Sequence, residues 1–500
     1  MLSTNWRALL LSFLLGALLV LAFAPFNAWL LAPVCVAGLF VLVVDVTPKI
    51  AFLRALAFGY GVFGFGVSWV YVSLSTYGGM PFWMGSIAVL GFAGLLAIFI
   101  ALPCYLVARF LPKSKAKRLI ALPLVWVVFE WMQSWVLTGF PWLDVGYTQT
   151  HTWLFAWAPI GGVYLVSGVV TLFAASLAWA WEFKSWKPFT LALPLLFLSW
   201  FMNTLSWSQS SGSSINVGLV QANVPINAKW QHTKRRQIIA DYQRLSAELG
   251  NTNKLDLVIW PETALPLYMQ ETDAAFWQNI TPPGTALLTG VMDSPSLMAS
   301  SPSYDESYNA AVLSCQSGTQ IYRKRHLVPF GEYLPLRFLF DWVLDYLDLP
   351  MSDFSYWQGL QPLDCGEHIN IGLSICYEDA FANEYRQNVG DATLLVNISE
   401  DAWFGDSLAP HQRLQMAQMR ARELSRPMVR SANSGPSVVI DHRGQILAQT
   451  PQFEVHTLAH KVDPQIGETP FKRLGNWFVY LCLAILIGLM ITSRRKSGQF

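Results

Sequence analysis

The chain has 500 residues, of which 53% are hydrophobic and only 13% are charged, and its formal net charge is +1. A soluble globular domain carries roughly a quarter charged residues, so this composition excludes an ordinary soluble protein and a disordered chain. The near-zero net charge gives no general attraction for nucleic acid, and no nucleic-acid partner is expected.

The first 206 residues form an apolar region that contains only four acidic residues. A membrane-spanning helix needs about 20 predominantly apolar residues. Seven candidate spans meet this requirement, at about 8–24, 27–46, 55–75, 82–108, 119–137, 158–181 and 188–206. An eighth apolar run covers about 474–492. The sequence therefore predicts a seven-span region at 1–206, an extramembrane domain at 207–473, and a final span with a short tail at 474–500.

The charges in the connecting segments indicate an orientation. Cytoplasmic loops are enriched in Lys and Arg. If the N-terminus is cytoplasmic, the short outer loops at about 25–26, 76–81 and 138–157 carry no Lys or Arg. The segments on the other side hold the basic residues, including the cluster at 113–118 and the tail at 494–496. Both termini are thus expected in the cytoplasm and the 207–473 domain outside it.

Two features of the apolar region allow more than one interpretation. Ala22-Phe23-Ala24 resembles a signal-peptide cleavage site, but the second span follows almost at once, which favours a helical hairpin. Glu130 lies within the fifth span, where a carboxylate is either functional or paired inside the bundle with a Trp or Ser donor.

The polar region alternates between strand and helix patterns, which is typical of a layered α/β domain. Strands are predicted at Ile215–Val224, Leu255–Trp260, Ala286–Val291, Tyr308–Ser314, Gln320–Leu327, His368–Tyr377, Thr393–Ile398, Val438–Asp441 and Gln445–Ala448. Hairpin turns are predicted at Ser317-Gly318 and at Arg443-Gly444, between the strands that flank them. Helices are predicted at Thr233–Leu249 and Gln412–Leu424. The aromatic, leucine-rich stretch Phe338–Trp357 does not fit this alternation. It is either a covered helix-loop or a lid that contacts lipid.

Three strand ends carry residues suited to nucleophilic catalysis. Glu262 follows one predicted strand, Lys324 lies within the predicted strand Gln320–Leu327, and Cys376 lies near the end of a third. A thiol attacks as thiolate, which a nearby Lys favours and which a carboxylate base can generate. A Lys ammonium can also stabilise an oxyanion. Each residue alone has an ordinary structural explanation, as a core cysteine, a helix cap or a solvated lysine.

Together these segments resemble a known family. Trp260-Pro261-Glu262, the run from Lys324 to Glu332, and Cys376-Tyr377-Glu378 are similar to the three signatures of the nitrilase superfamily. Its members have an α-β-β-α sandwich with a Glu-Lys-Cys triad. With eight spans, the whole chain resembles the membrane-bound branch, the bacterial apolipoprotein N-acyltransferases. The segments 220–225 with Lys229-Trp230, and 401–406 with His411-Gln412, match as well. Glu400 departs from the pattern, in which Asn is expected.

The resemblance implies a role for each matching residue. Cys376 is the nucleophile, Glu262 the general base and later the acid, and Lys324 the oxyanion stabiliser. Glu332 and Glu378 act as supporting carboxylates that orient the Lys or shuttle protons. Tyr377, also a supporting residue, and Trp230 line the acyl pocket, and Trp403 is a further substrate-binding residue.

The implied reaction is a ping-pong acyl transfer. A phospholipid, by resemblance phosphatidylethanolamine, donates an acyl chain to Cys376. The α-amine of an S-diacylglyceryl-cysteine at an apolipoprotein N-terminus then accepts it. The implied location is the bacterial inner membrane, with a periplasmic catalytic domain that contacts membrane lipid. No cofactor and no metal ion are implied. The alternatives are a membrane-tethered amidohydrolase with the same triad, and a transporter or scaffold with an inactive nitrilase-like domain.

The six cysteines are too few and too scattered for a disulfide framework, and no CxxC pair suggests a zinc site. Outside the cytoplasm Cys315 and Cys365 are able to pair, but the sequence leaves open whether they do.

Overall fold

The computed structural model describes residues 6–111, 114–295, 306–335, 354–366 and 368–495. An N-terminal helical region precedes a two-sheet domain, and a last helix follows it. The helices are α1 Trp6–Leu19, α2 Leu31–Val44, α3 Pro48–Gly66, α4 Phe82–Phe110, α5 Lys115–Gln133, α6 Ala158–Phe183, α7 Phe189–Met202, α8 Ile226–Lys229, α9 Arg235–Thr252, α10 Ala274–Ile280, α11 Ala382–Asn388, α12 Leu408–Leu424, α13 Pro470–Leu474 and α14 Trp477–Arg495.

The helical region has a clear membrane character. Among the described residues, three helical stretches are long and apolar enough to cross a membrane: Pro48–Gly66, Phe82–Phe110 and Trp153–Phe183. Four further apolar helices are shorter: Trp6–Ala22, Leu31–Val44, Ala192–Met202 and Trp477–Thr492. The total of eight spans therefore remains a prediction.

The third predicted span is displaced along the chain. Instead of covering about 55–75, α3 begins at Pro48 and ends at Gly66. Pro48 occupies the first helical turn, where its missing N–H costs nothing. A separate, short π-helix follows at Val72–Tyr77.

Glu130 is paired inside the helical region. Its Oε1 accepts hydrogen bonds from the Trp126 indole (2.7 Å) and from the Val145 amide (2.9 Å). The carboxylate therefore faces the bundle and has a Trp donor, as the structural interpretation of this residue expects.

The two-sheet domain contains strands β1 Gln209–Ser210, β2 Ile215–Gln221, β3 Leu257–Ile259, β4 Ala286–Asp293, β5 Tyr308–Cys315, β6 Gly318–Arg323, β7 Leu363–Cys365, β8 Ile369–Ile375, β9 Leu394–Ser399, β10 Met428–Ala432, β11 Val438–Ile440, β12 Ile446–Gln449, β13 His456–Val462 and β14 Gln465–Ile466. One sheet has the order β13-β2-β3-β4-β5-β6, and the other has the order β12-β11-β10-β9-β8-β7. The hairpins β5–β6 and β11–β12 are both antiparallel and confirm the predicted turns at Gly318 and Gly444.

The two sheets pack face to face through alternating apolar side chains. Leu219 and Ile259 of the first sheet share one buried cluster with Leu373 and Val396 of the second. Helix α9 covers the outer face of the first sheet, with Tyr242 against Trp260. Helices α11 and α12 cover the outer face of the second. The domain is thus the predicted α-β-β-α sandwich.

Several element boundaries differ from prediction. Strand β6 ends at Arg323, so Lys324 follows the strand that the sequence predicts to continue to Leu327. Helix α12 begins at Leu408, four residues before the predicted start, because Ser407 caps it by accepting from the Ala409 amide (3.3 Å). Strand β8 ends at Ile375, so Cys376 is the first residue of a 3₁₀ turn and not the end of a strand.

A disulfide joins Cys315 of the first sheet to Cys365 of the second, with a Cα–Cα distance of 5.9 Å. The segment between them includes Lys324 and the whole of the predicted lid, Phe338–Trp357. The lid falls mainly on residues 336–353, which lie outside the described residues. Its described end has Phe354 buried against Met292 and Leu327, and the Trp357 amide donates to the Lys324 carbonyl (3.0 Å).

Candidate active site

Three buried side chains converge at one edge of the sandwich. Glu262 follows β3, Lys324 follows β6, and Cys376 follows β8. Strands β3 and β6 run in the same direction, so their carboxyl ends meet at the same edge. The Lys324 Nζ lies 3.7 Å from the Glu262 Oε1, and both groups act electrostatically on the Cys376 thiol. The structure therefore brings the three predicted catalytic residues into one site.

The Glu262 carboxylate is held at both oxygens. Oε1 accepts from the Asn309 amide group (2.7 Å), and Oε2 accepts from the backbone N–H of Glu400 (2.8 Å). The loop that carries Glu262 lies directly against Gly290 of β4. A Cβ at Gly290 would lie 2.3 Å from the Thr263 nitrogen, so only glycine permits this packing.

Lys324 is fixed between two carboxylates. Its Nζ donates to Glu332 Oε1 (2.8 Å) in addition to its approach to Glu262. Asn309 Nδ2 bridges the same two carboxylates, since it also donates to Glu332 Oε1 (2.8 Å). Burial lowers the pKa of Lys324, but Glu332, Glu262 and Cys376 together outweigh burial and raise it above its ordinary value. Lys324 is therefore a cation at neutral pH, and Glu332 lies where it can orient the ammonium.

Cys376 occupies a strained turn. Its φ of +50° lies in the left-handed region, which costs a non-glycine residue about 1 kcal/mol or more. Its carbonyl accepts from Asn397 Nδ2 (3.1 Å) and from Arg413 Nη2 (2.5 Å). Burial, reinforced by Glu262, raises the pKa of the thiol to about 11, against the opposing effect of Arg413 and Lys324. At neutral pH the thiol is therefore protonated, and attack requires a base.

Glu378 has a different environment from Glu332. Its carboxylate accepts from the backbone amides of Ile375 (2.7 Å), Arg325 (2.6 Å) and His326 (3.2 Å) and from the Tyr322 hydroxyl (2.9 Å). These bonds tie the segment after Lys324 to the strand before Cys376. Burial raises the pKa of Glu378 in spite of these donors. Its contacts therefore fit a residue that positions these two segments.

The predicted aromatic residues occupy three different environments. Tyr377 reaches the helical region, where its hydroxyl donates to the Gly139 carbonyl (3.1 Å) and its ring stacks on Trp142. Trp403 packs edge-on against Tyr77 of the helical region, and Trp230 is 40% exposed. Within the described residues, neither indole donates a hydrogen bond to the three converging side chains. Of these three aromatic residues, Tyr377 is the one next to the nucleophile, and it contacts the segment between α5 and α6 of the helical region.

Sequence reasoning missed several residues of the site. Arg413 contacts the Cys376 sulfur itself (Nη1 to Sγ, 3.2 Å). Asn309 donates a hydrogen bond to the Glu262 carboxylate, and Asp401 forms an ion pair with Arg413. Arg413 lies on a helix that the sequence predicts, but its spacing does not reveal that it faces the nucleophile. Gln412, the residue before it, accepts from the indoles of both Trp69 (3.2 Å) and Trp142 (2.6 Å).

Glu400, which departs from the family pattern, has a buried partner in Lys229. Its carboxylate forms an ion pair with the buried ammonium of Lys229 and accepts from Asn433 Nδ2 (3.0 Å). The Lys229 ammonium also donates to Thr263 Oγ1 (3.2 Å) and to the Glu262 carbonyl (3.4 Å). Burial raises the pKa of Glu400, and Lys229 opposes that rise. The Lys229–Glu400 pair therefore contacts Glu262 twice, through the Glu262 carbonyl and through the Glu262 carboxylate.

A double-mutant cycle tests this pair. We expect Lys229→Met to destabilise the domain by about 3–5 kcal/mol, because it leaves the buried Glu400 carboxylate without its cation. Adding Glu400→Gln removes the unpaired charge and should restore most of the loss. Thermal unfolding in detergent, followed for the parent, both single variants and the double variant, measures the coupling. A double variant no more stable than Lys229→Met would contradict the pairing.

Comparisons with known proteins agree with this architecture. Residues 15–176 match the family model described as apolipoprotein N-acyltransferase N-terminal domain, and residues 216–471 match that of carbon-nitrogen hydrolase. A protein of Photobacterium profundum is 36% identical over 98% of this chain and 96% of its own length. One of Methylococcus capsulatus is 37% identical over 99% and 97%. Both are named apolipoprotein N-acyltransferase, and the chain belongs to the apolipoprotein N-acyltransferase family.

Proposed function

We propose that the protein transfers an acyl chain from a phospholipid to the N-terminal amine of the S-diacylglyceryl-cysteine of an apolipoprotein. The observation that carries this proposal is the position of the nucleophile. Cys376 lies in a buried site, and the next residue, Tyr377, is bound to the apolar helical region. A lipid ester whose chains remain in the bilayer can reach a nucleophile at this position. The names of the relatives support the same reaction.

The first half-reaction loads the enzyme. Glu262 takes the proton of the Cys376 thiol, and the sulfur adds to the ester carbonyl of phosphatidylethanolamine or a similar phospholipid. The carbonyl electron pair moves to oxygen, and the Lys324 ammonium stabilises the resulting oxyanion. When the intermediate collapses, the lysophospholipid oxygen leaves and takes the proton from Glu262. A thioester remains on Cys376.

The second half-reaction discharges the thioester. The neutral α-amine of the diacylglyceryl-cysteine adds to the thioester carbonyl, and Glu262 takes a proton from the attacking nitrogen. Lys324 again stabilises the oxyanion. Collapse forms the amide and expels the Cys376 thiolate, which recovers its proton from Glu262. The cycle is therefore ping-pong, and every proton returns to its starting group.

The position of the substrates implies an orientation for the protein. We infer an inner-membrane protein with both termini cytoplasmic and the two-sheet domain periplasmic. The Lys and Arg residues of the connecting segments support this orientation. The Cys315–Cys365 disulfide supports it independently, because disulfides persist in oxidising compartments.

The reaction is tested with defined substrates. Purified protein in detergent receives phosphatidylethanolamine with a labelled acyl chain and a synthetic diacylglyceryl-cysteine peptide. We expect the label on the peptide's α-amine, detected by mass spectrometry. A peptide with an acetylated N-terminus is the control and should remain unlabelled. Release of labelled fatty acid at the same rate with and without the peptide would instead support the amidohydrolase.

A further inference from the structure

Arg413 is a buried cation in direct contact with the nucleophile. Its Nη1 lies 3.2 Å from the Cys376 Sγ, and its Nη2 donates to the carbonyl of the same residue. The side chain is only 1% exposed and comes from helix α12, far from Cys376 in sequence. A guanidinium cannot lose its proton under ordinary conditions. Arg413 therefore holds a fixed positive charge next to the sulfur, the atom that reacts.

The guanidinium is neutralised and oriented without help from the sulfur. It pairs with Asp379 Oδ1 (3.1 Å) and Asp401 Oδ1 (3.0 Å) and donates to Ser399 Oγ (2.7 Å). Asp401 is shared, since its other oxygen pairs with Arg430 (2.6 Å). The contact with Cys376 is therefore an additional interaction that the ion-pair network does not need for charge balance.

The two cations of the site make different direct contacts. Lys324 is held by Glu332 and Glu262, on the side of the base. Arg413 comes from helix α12 and contacts the sulfur directly. Resting on the proposed function above, we propose that Arg413 is a catalytic residue that stabilises the Cys376 thiolate, both when it attacks the phospholipid ester and when it leaves the thioester.

This role follows from the charge on sulfur during the cycle. The sulfur is neutral as a thiol and as a thioester, and it is negative only when Glu262 has taken its proton or when the C–S bond breaks. The electron pair of that broken bond stays on sulfur. A charge-assisted hydrogen bond is roughly twice as strong as a neutral one. Arg413 therefore stabilises the thiolate that forms in these two steps more than it stabilises the neutral thiol or the thioester.

Four charged groups from different elements act on the thiol: Glu262, Lys324, Asp401 and Arg413. The two carboxylates raise the pKa of the thiol, and the two cations lower it. Removing the Arg413 charge must therefore raise the pKa of Cys376 further. An arginine that served only the ion-pair network, without contact with the sulfur, would leave the ionisation of the thiol largely unchanged.

The test measures thiol ionisation independently of acyl transfer. Full-length protein in detergent is alkylated with iodoacetamide across a pH series, and the Cys376 peptide is quantified by mass spectrometry. In Arg413→Gln we expect the Cys376 profile to move to higher pH by about one unit, which is about a tenfold slower alkylation at fixed pH below the midpoint. Thioester formation should fall at least as much. Arg413→Lys, which keeps the charge, should recover part of both.

Arg430→Gln is the matched control, because it removes a cation from the same Asp401 without touching the sulfur. A profile moved equally by Arg413→Gln and Arg430→Gln would overturn the proposal. If Arg413→Gln does not fold, Arg413→Gln with Asp379→Asn removes both partners of one ion pair and is read in the same way. Parent protein that never acylates Cys376 contradicts the proposed function, whereas an unmoved profile in Arg413→Gln contradicts only the role of Arg413.

Discussion

Replacing Cys376 with alanine is expected to abolish both thioester formation and transfer to the acceptor peptide. No other group in the proposed cycle can hold the acyl chain, so we expect a loss of about 10⁴-fold or more. The measurement is the initial rate of labelled peptide formation from phosphatidylethanolamine, with the Cys376 peptide examined in parallel for an acyl group.

Folding and specificity need separate controls for this variant. Arg413 retains Asp379 and Asp401 when the sulfur is removed, so the unfolding temperature should change little. Cys104→Ala removes a different buried thiol, on α4, and should retain parental turnover. Turnover that survives Cys376→Ala would contradict covalent catalysis by this residue.

Replacing Glu262 with glutamine is expected to separate two properties of the thiol. The change removes the proton acceptor, so acylation of Cys376 should fall by about 10²–10⁴-fold. It also removes a negative charge that raises the pKa of Cys376, so alkylation of the same thiol should become faster at a given pH. Acylation rates and iodoacetamide rates, measured on one preparation, give both values.

The opposite directions make this prediction specific. Damage to the site would slow both reactions, because a distorted or occluded thiol reacts poorly with every electrophile. If Glu262→Gln acylates Cys376 at the parental rate, Glu262 is not the base. If both reactions slow together, Glu262 has a structural role and the base lies elsewhere.

Much of the fold could be predicted because local signals coincide with tertiary ones. Short apolar runs identified nine strands, but not β10 or β13, and Gly318 and Gly444 identified two hairpins. The residues after β3 and β8 stood out only in combination with Lys324, because the three segments together resemble one family, whereas each residue alone has an ordinary structural explanation. The exact start of a helix was harder to predict where a single capping hydrogen bond determines it, as with Ser407 before α12.

The remaining part of the site depends on contacts between distant segments. Arg413 faces Cys376 only because α12 packs on the second sheet, and nothing in the spacing along α12 distinguishes it from Arg420 or Arg422. Asn309 bridges Glu262 and Glu332 for the same kind of reason. Glu400 could be recognised as unusual from the sequence, but its partner Lys229 lies 171 residues away.

The central claim is an acyl thioester on Cys376 that an amine discharges in preference to water. Purified protein is incubated with phosphatidylethanolamine that carries a labelled acyl chain, without acceptor, and the peptide containing Cys376 is isolated and treated with hydroxylamine. We predict a label on this peptide that hydroxylamine removes, and that added diacylglyceryl-cysteine peptide discharges much faster than water does. An unlabelled Cys376 peptide, or discharge at the same rate with and without the acceptor, would contradict the claim.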